Sequence, residues 1–453
     1  MIKVSLKTAG AAALVAGVAF VTSCSTPQPA GTGSGEPAQG GQAAASGGAP
    51  QYVYDPGWPK PLPNNWKIGG VTGLAVVPGQ DTVWAYNRPN DLTNLELEKE
   101  LEASDCCTLP PSMINFDKEG NVIGSFAAPQ GHGMDVDSKG FAYLGQNTVR
   151  KYDTKTGMMV AEIPHTPETE NGNKFTMPQL PNHTPGQGGQ GPVAGFLPQP
   201  PGARGGGGRG GNAPDPAAQA AARAAFRAKY PPTTPMIVGG LEEIRVDEAN
   251  NEIYVLDNYL NGRILVFSLD NFEFKRGWGA YGHKLDEIST NDADREYKPN
   301  GPMPKEFAGH VTFNFSNDGM VYIADRVANR IHVTDKQGNY QGKEFIIAPY
   351  TGRGGATGGV AFSPDAEQRY LYISDLTNNK IWFLNRADGK VVGTLGQMGE
   401  QGGQFFGLHM IATDSDGTIY TGEVFAGQRV QRFVPADSPR GKIIRQLETV
   451  KLD

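Results

Sequence analysis

The segment "GHVTFNFSNDGMVYIADRVANRIHVTD", residues 309–335, contains the pattern that decides the fold. An apolar alternating stretch is followed by a turn containing Asn317-Asp318-Gly319, then by a second apolar stretch, a polar turn and a third stretch. Alternating stretches separated by Asn-Gly or Asp-Gly turns are typical of antiparallel hairpins. The segment therefore predicts three antiparallel strands joined by short turns.

The same pattern occurs six times along the chain. The copies begin at Gly69, Gly131, Gly239, Gly309, Gly358 and Leu408. The last three begin about 50 residues apart, a spacing typical of propeller blades. A weaker fourth strand, such as "GKVVGTLG" at 389–396, would complete a four-stranded sheet in each copy. We predict an all-β fold, a six-bladed β-propeller, and the alternative is a sandwich of six hairpins.

Two insertions interrupt the repeats. Residues 162–235, between the second and third copies, begin with Gly/Pro-rich low-complexity sequence that cannot pack a core. They continue with "AAQAAARAAFRAKYPP", where strong helix formers followed by proline predict one short helix. We expect this insertion to be a solvated excursion. A smaller insertion, 281–305, separates the third and fourth copies.

The first 24 residues have the features of an export signal. A basic start and a short apolar core lead to "VTSC", which ends at Cys24. The pattern resembles a bacterial lipoprotein signal with Cys24 as the lipidated residue, and an ordinary secretory signal is the alternative. Residues 25–50 read as a flexible linker, so we expect 51–453 to form the propeller. These features predict an exported protein anchored by lipid to a membrane of the cell envelope.

The formal net charge of −7 argues against nucleic acid as a partner. Two cysteines remain after Cys24, namely Cys106 and Cys107, which are adjacent in sequence. Their Cα atoms are closer than in usual disulfides, so a bond between them would be strained. A disulfide and a pair of free thiols both stay open.

Three of the seven histidines share one position in the repeat. His132, His310 and His409 stand at the start of the first strand of the second, fourth and sixth copies. The first strand of a blade lines the central channel, so the three imidazoles are expected to converge. Three His ligands with one open position form a catalytic zinc site. We predict zinc, with copper, nickel and iron as alternatives, although a single strand histidine is usually only hydrogen-bonded.

Three further side chains stand where second strands end. They are Arg88, Tyr259 and Arg326. Two arginines can hold a carboxylate by charge-assisted hydrogen bonds. A tyrosine whose pKa is lowered by nearby cations can act as a general base. Taken singly, each of these residues would be read as a solvent-facing turn residue.

The stretches "ADRVANRI" at 324–331 and "LDNYLNGRI" at 256–264, together with the three histidines, resemble the peptidyl-α-hydroxyglycine α-amidating lyase family. That family consists of six-bladed propellers of the NHL-repeat type. The resemblance implies that the three histidines bind zinc and that Tyr259 takes a proton from the substrate hydroxyl. It also implies that Arg88 and Arg326 hold the substrate carboxylate while a carbinolamide is cleaved to an amide and glyoxylate.

Two features depart from the resemblance. It would place a structural calcium near the backbone carbonyls of Leu74 and Met134, but the residue after the third histidine is Met410, which offers no hard oxygen ligand. We also expect the hydroxylating partner domain of the animal bifunctional enzymes to be absent. We therefore expect a small-molecule or peptide-derived substrate that has a carboxylate, either a carbinolamide or a related α-hydroxy acid derivative.

Two other functions compete with the lyase. A non-catalytic propeller could bind protein or glycan partners of the envelope through its rim. A hydrolase or lactonase on the same scaffold would need carboxylate ligands at the channel, and Glu242 is one of few at the blade starts.

Overall fold

The computed structural model describes residues 48–167, 177–180, 216–295, 303–345 and 357–449. The predicted signal, Cys24 and most of the linker lie outside the described residues. So do His183 and the low-complexity part of the insertion. Among the described residues, none of the helices is both long and apolar enough to cross a membrane.

The described chain forms six antiparallel sheets of four strands each. The first sheet contains β2 (Gly70–Val76), β3 (Val83–Arg88), β4 (Met113–Phe116) and β5 (Val122–Phe126). The second contains β6 (Met134–Val136), β7 (Phe141–Gly145), β8 (Val149–Asp153) and β9 (Met159–Glu162). The third contains β10 (Leu241–Asp247), β11 (Glu252–Asp257), β12 (Arg263–Ser268) and β13 (Phe274–Trp278).

The remaining three sheets repeat this order. The fourth contains β14 (Val311–Phe315), β15 (Met320–Asp325), β16 (Arg330–Asp335) and β17 (Tyr340–Phe345). The fifth contains β18 (Val360–Phe362), β19 (Tyr370–Asp375), β20 (Lys380–Asn385) and β21 (Val391–Leu395). The sixth contains β22 (Leu408–Thr413), β23 (Ile419–Glu423) and β24 (Val430–Pro435), and its fourth strand is β1 (Tyr52–Tyr54).

The sheets close into a ring through their first strands. Strand β2 contacts both β6 and β22, β10 contacts both β6 and β14, and β18 contacts both β14 and β22. Each sheet is therefore a blade, and the prediction of a six-bladed β-propeller is confirmed.

Neighbouring blades pack through large apolar side chains. Each second strand contributes one tyrosine that is almost completely buried: Tyr86, Tyr143, Tyr254, Tyr322, Tyr372 and Tyr420. This repetition follows from the aromatic-apolar second stretch in each copy of the sequence pattern. Burial of such rings contributes much of the core stability of a protein.

The sixth blade joins the two ends of the described chain. Strand β1 pairs antiparallel with β24, Val53 opposite Val434. Directly after β1, the buried carboxylate of Asp55 accepts hydrogen bonds from Arg432 and Arg440. The second helix, α2 (Pro439–Thr449), packs against β1 and β24. The sequence pattern predicted neither β1 nor this helix.

The helix predicted in the insertion is present as α1 (Pro216–Lys229). However, the expectation of a solvated excursion is wrong for this described end of the insertion. Arg227 is only 4% exposed and donates a hydrogen bond of 2.7 Å to the carbonyl of Leu260. The fully buried Arg263 donates to the carbonyls of Pro232, Thr234 and Met236. Buried guanidinium groups thus attach the segment after α1 to the third blade.

The structure joins Cys106 and Cys107 by a disulfide in the loop between β3 and β4. The sequence left open a disulfide or a pair of free thiols, and the structure contains the disulfide.

Candidate functional site

The candidate site lies where the innermost strands begin. His132 stands two residues before β6, His310 directly precedes β14, and His409 is the second residue of β22. Arg326 directly follows β15, and Tyr259 comes two residues after β11. Because first and second strands of a blade are antiparallel, the start of one and the end of the other meet at the same end of the channel.

His132 and His409 face each other through their Nε2 atoms, which are 2.8 Å apart. The Nδ1–H of His132 donates to the backbone carbonyl of Glu242 at 2.7 Å. Since a carbonyl can only accept, this bond leaves the lone pair of a neutral ring on Nε2 of His132. Burial lowers the pKa of His132 to about 4, with a smaller effect from Arg88. Burial also lowers the pKa of His409, so both rings are neutral at pH 7.

His310 lies next to this pair but does not complete it. Its Nδ1 is 3.3 Å from the hydroxyl of Tyr259 and 3.6 Å from Oε1 of Glu242. Burial lowers the pKa of His310 to about 3, and the positive charge of Arg326 contributes. Within the described residues no three His, Cys, Asp or Glu side chains form an arrangement that could hold a metal ion. The structure brings two of the three predicted ligands into contact and places the third beside them.

His310 also has an unusual backbone conformation. Its φ of 53° lies in the left-handed region, which residues with a side chain rarely adopt. Glu242 supports this conformation, because its Oε1 accepts the His310 N–H at 3.0 Å. Strained residues of this kind are concentrated at functional sites.

Glu242 connects the third and fourth blades at the site. Besides His310, it accepts hydrogen bonds from the N–H of Val311 at 2.6 Å and from the side-chain amide of Asn258. Its carboxylate is 1% exposed, and burial raises its pKa. From the sequence, Glu242 was predicted only as a ligand for a hydrolase, and this organising role was missed. An acidic residue at the start of β10 was the available signal.

Tyr259 exposes 48% of its surface, yet its hydroxyl lies 3.3 Å from Nδ1 of His310. Loss of hydration raises the pKa of Tyr259 well above its usual value, and the adjacent Glu242 raises it further. The positive charges of Arg326 and Arg88 lower the pKa of Tyr259, but their effect is smaller than the effects that raise it. The expectation that nearby cations lower this pKa is therefore wrong for the protein alone. Tyr259 is protonated at neutral pH.

The two predicted arginines differ in their pairing. Arg88 forms an ion pair with Asp91 at 2.8 Å. Arg326 is 9% exposed, and its buried Nε has no hydrogen-bond partner among the described residues. The positive charges of both arginines act on His132, His409 and Tyr259. The six predicted residues therefore lie in one electrostatically coupled cluster.

An arginine lies at one of the two carbonyls considered for calcium. Nη1 of Arg245 donates to the carbonyl of Met134 at 3.4 Å and to that of Ile244 at 3.1 Å. It also forms an ion pair at 3.2 Å with Glu243, a buried carboxyl whose pKa is raised to about 7, mainly by burial. Leu74 is buried on the neighbouring first blade. A side-chain cation of the protein itself thus contacts the Met134 carbonyl.

These observations define the class of the molecule: a six-bladed β-propeller with a histidine, tyrosine and arginine cluster at one end of its channel. No protein-family model matches the chain. Over 204 residues the chain is 28% identical to peptidyl-glycine alpha-amidating monooxygenase B of Xenopus laevis, covering 43% of this chain and 20% of that protein. The A form from the same organism is 27% identical over 204 residues, covering 43% of this chain and 19% of that protein.

The aligned region thus covers only about a fifth of either relative (20% and 19%). A solved Bacteroides thetaiotaomicron protein of unknown function is 13% identical, covering 81% of this chain and 70% of that chain with a TM-score of 0.43. The chain is a propeller protein with distant similarity to the peptidyl-glycine amidating enzymes.

Proposed function

We propose that the protein is a metal-dependent carbon–nitrogen lyase that cleaves a carbinolamide of the α-hydroxyglycine type into an amide and glyoxylate. The observation that carries this proposal is the opposed pair of neutral imidazoles of His132 and His409, with His310 and Tyr259 next to it. The distant similarity to peptidyl-glycine amidating enzymes supports the same reaction class.

Two of the three proposed ligands, His132 and His409, have the ring chemistry of metal ligands, and His310 would have to move to join them. With Nδ1 of His132 bonded to the Glu242 carbonyl, its Nε2 lone pair points at Nε2 of His409. A backbone acceptor on the remote ring nitrogen is the usual support of a metal-bound histidine. We propose zinc held by His132, His409 and His310, which would act as a Lewis acid at the substrate hydroxyl. The contact between Arg245 and the Met134 carbonyl argues against an additional calcium there.

The arginines would bind the substrate carboxylate. Arg326 is the main candidate because its guanidinium is buried and its Nε lacks a hydrogen-bond partner among the described residues. A carboxylate would satisfy it with a charge-assisted bond. Arg88 is held by Asp91 and would contribute mainly through its charge. Both arginines would orient the carbon that bears the hydroxyl group toward the histidines.

Tyr259 would transfer the proton. In the reaction the carbon–nitrogen bond breaks, the hydroxyl proton is lost, and one proton is gained by the departing amide nitrogen. Because Tyr259 is protonated at neutral pH, we assign it the donation to nitrogen. The resulting phenolate then takes the hydroxyl proton, so the tyrosine is restored and no proton is gained or lost overall.

Glyoxylate release from α-hydroxyhippurate tests this function directly. Purified protein would be assayed before and after chelation and after stoichiometric zinc is restored, and its metal content measured in parallel. We expect turnover that chelation abolishes and zinc restores, and that His409→Ala lacks. His283→Ala, which changes a partly exposed loop histidine, is the matched control. The proposal fails if the wild type releases no glyoxylate and binds no stoichiometric metal.

We also propose export and lipid anchoring through Cys24. The support is the sequence of residues 1–24 alone. Metabolic labelling with a radioactive fatty acid should label the wild type and not Cys24→Ala. Equal labelling of both proteins would contradict this proposal.

A further inference from the structure

Tyr259 lies in the short loop between β11 and β12, residues 258–262, which we call the tyrosine loop. The side chain is 48% exposed, and its hydroxyl lies 3.3 Å from Nδ1 of His310. A ring that is half exposed is held only in part by packing against its neighbours. The position of the hydroxyl therefore depends on the backbone of the tyrosine loop.

The two insertions of the chain meet at one atom of this loop, the carbonyl oxygen of Leu260. Nε of Arg227, from α1 in the first insertion, donates to this oxygen at 2.7 Å. Nη2 of Arg295, from the second insertion, donates to the same oxygen at 3.4 Å. Hydrogen bonds from a charged donor are stronger than those between neutral groups. Because Leu260 directly follows Tyr259, both bonds act on the backbone that carries the reacting side chain.

Glu306 stabilises this convergence of two cations. Its carboxylate is 2% exposed, and its Oε1 lies 3.8 Å from Nε of Arg295. Burial raises the pKa of Glu306, and the positive charges of Arg295 and Arg227 act against this rise. A carboxylate near both guanidinium groups offsets the repulsion between two like charges that share one acceptor. The two arginines and the glutamate therefore form one charged group behind the tyrosine loop.

The segment that follows α1 is itself fixed to the third blade. The side-chain amide of Asn261 donates to the carbonyl of Tyr230 at 3.4 Å. The fully buried guanidinium of Arg263 donates to three carbonyls within residues 232–236. Arg227 thus extends from a part of the insertion that is held on the strand following the tyrosine loop.

Building on the proposed lyase function, we propose that Arg227 and Arg295 are positioning residues, which hold the tyrosine loop so that the hydroxyl of Tyr259 stays beside His310. They act through the carbonyl of Leu260. The two insertions that flank the third blade thereby contribute to the geometry of the site. Arg227 has the larger share, because its bond to the Leu260 carbonyl is the shorter of the two.

Steady-state kinetics of glyoxylate release from α-hydroxyhippurate tests this role through a split between kcat and KM. Arg227→Met keeps an unbranched side chain but removes the donors, and it should lower kcat about tenfold because a slightly misplaced reacting group is enough for such a loss. Arg295→Met should lower kcat about threefold, and KM should stay within about twofold in both variants. Arg227→Lys keeps a cationic donor and should restore part of kcat. Arg369→Met, in a turn of the fifth blade where the side chain is 68% exposed, is the control.

A second background separates the positioning of Tyr259 from a general effect on the fold. In Tyr259→Phe the group to be positioned is absent, so adding Arg227→Met should cause no further loss of kcat. A general effect would lower kcat by the same factor in both backgrounds, and this result would overturn the proposal.

Amide hydrogen exchange gives a readout that does not need the reaction. Arg227→Met should speed exchange in peptides that cover residues 258–262 at least about fivefold, whereas peptides that cover β19 should exchange as in the wild type. If the loop exchanges faster but no protein releases glyoxylate, the attachment of the loop by Arg227 stands and the lyase function fails. If exchange in residues 258–262 stays unchanged, the proposal is overturned whatever the activity. Should Arg227→Met not fold, Arg227→Lys and Arg295→Met are judged by the same two measurements.

Discussion

Replacing Asp55 by Asn should destabilise the sixth blade, where β1 pairs with β24. The Asp55 carboxylate is fully buried and accepts bonds of 2.5 Å from Arg432 and of 2.6 and 3.0 Å from Arg440. Removing one partner of a buried ion pair costs roughly 3–5 kcal/mol. Because the side chain of Arg440 is 45% exposed and can be rehydrated, we expect a loss near the lower end, about 3 kcal/mol.

The same carboxylate makes the stability depend on pH. Burial alone would raise its pKa, but the bonds from Arg440 and Arg432 outweigh burial and lower the pKa of Asp55 to about 2, from 3.8. A lowered folded-state pKa stabilises the fold above the usual value, and this contribution is lost as the pH falls from 4 toward 2. We expect about 1–2 kcal/mol from this group after allowing for the exposed Arg440.

Urea unfolding measured at pH 7 and at pH 2.5 would test both magnitudes. The ring of Trp58 packs against Phe116 and Tyr420 near the closing blade, so tryptophan fluorescence should report the transition. Asp388→Asn is the control, because Asp388 lies in an exposed turn and pairs with Lys390. The reasoning is refuted if Asp55→Asn unfolds at the same urea concentration as the wild type at pH 7. It is also refuted if the gap between the two proteins does not narrow at low pH.

Three other substitutions have defined outcomes. Tyr259→Phe should lower kcat for glyoxylate release at least about a hundredfold, as expected for a lost proton donor, whereas Tyr340→Phe on an outer strand should not, and equal rates would argue against the assigned role. Arg326→Met should lower kcat/KM about 10- to 100-fold, because a hydrogen bond to a charged group is lost. Steady-state kinetics would measure this loss, and Arg326→Lys should restore part of the activity. Arg263→Met should destabilise the fold by about 3–5 kcal/mol by leaving a buried carboxylate unpaired, measured by urea unfolding, whereas the exposed Arg369→Met should change it by less than about 1 kcal/mol.

The repeat made the fold predictable from sequence. Turn residues such as Asn317-Asp318-Gly319 and the buried second-strand tyrosines recur at equivalent positions of the repeat. The six copies could therefore be recognised by comparing them with one another. Strand β1 carries no such pattern, because three residues have no periodicity and their role depends on pairing with β24 at the far end of the chain. The closing strand could therefore not be predicted locally.

Repeat position predicted which of these side chains lie close together but not their electrostatics. Repeat position alone placed His132 and His409 together, and the structure has them in contact. The pKa of Tyr259 was predicted in the wrong direction because burial and the adjacent Glu242, which both depend on the three-dimensional fold, outweigh the two arginines. The contacts of Arg227 were also missed, since helix propensity says nothing about where a helix packs.

The most direct test of the proposed metal-dependent function is anomalous diffraction at the zinc absorption edge from crystals of the zinc-loaded protein. The account predicts one strong peak at about 2.0–2.1 Å from a ring nitrogen of each of His132, His310 and His409. A peak bound elsewhere, or zinc-loaded crystals without a peak among these three rings, would contradict it.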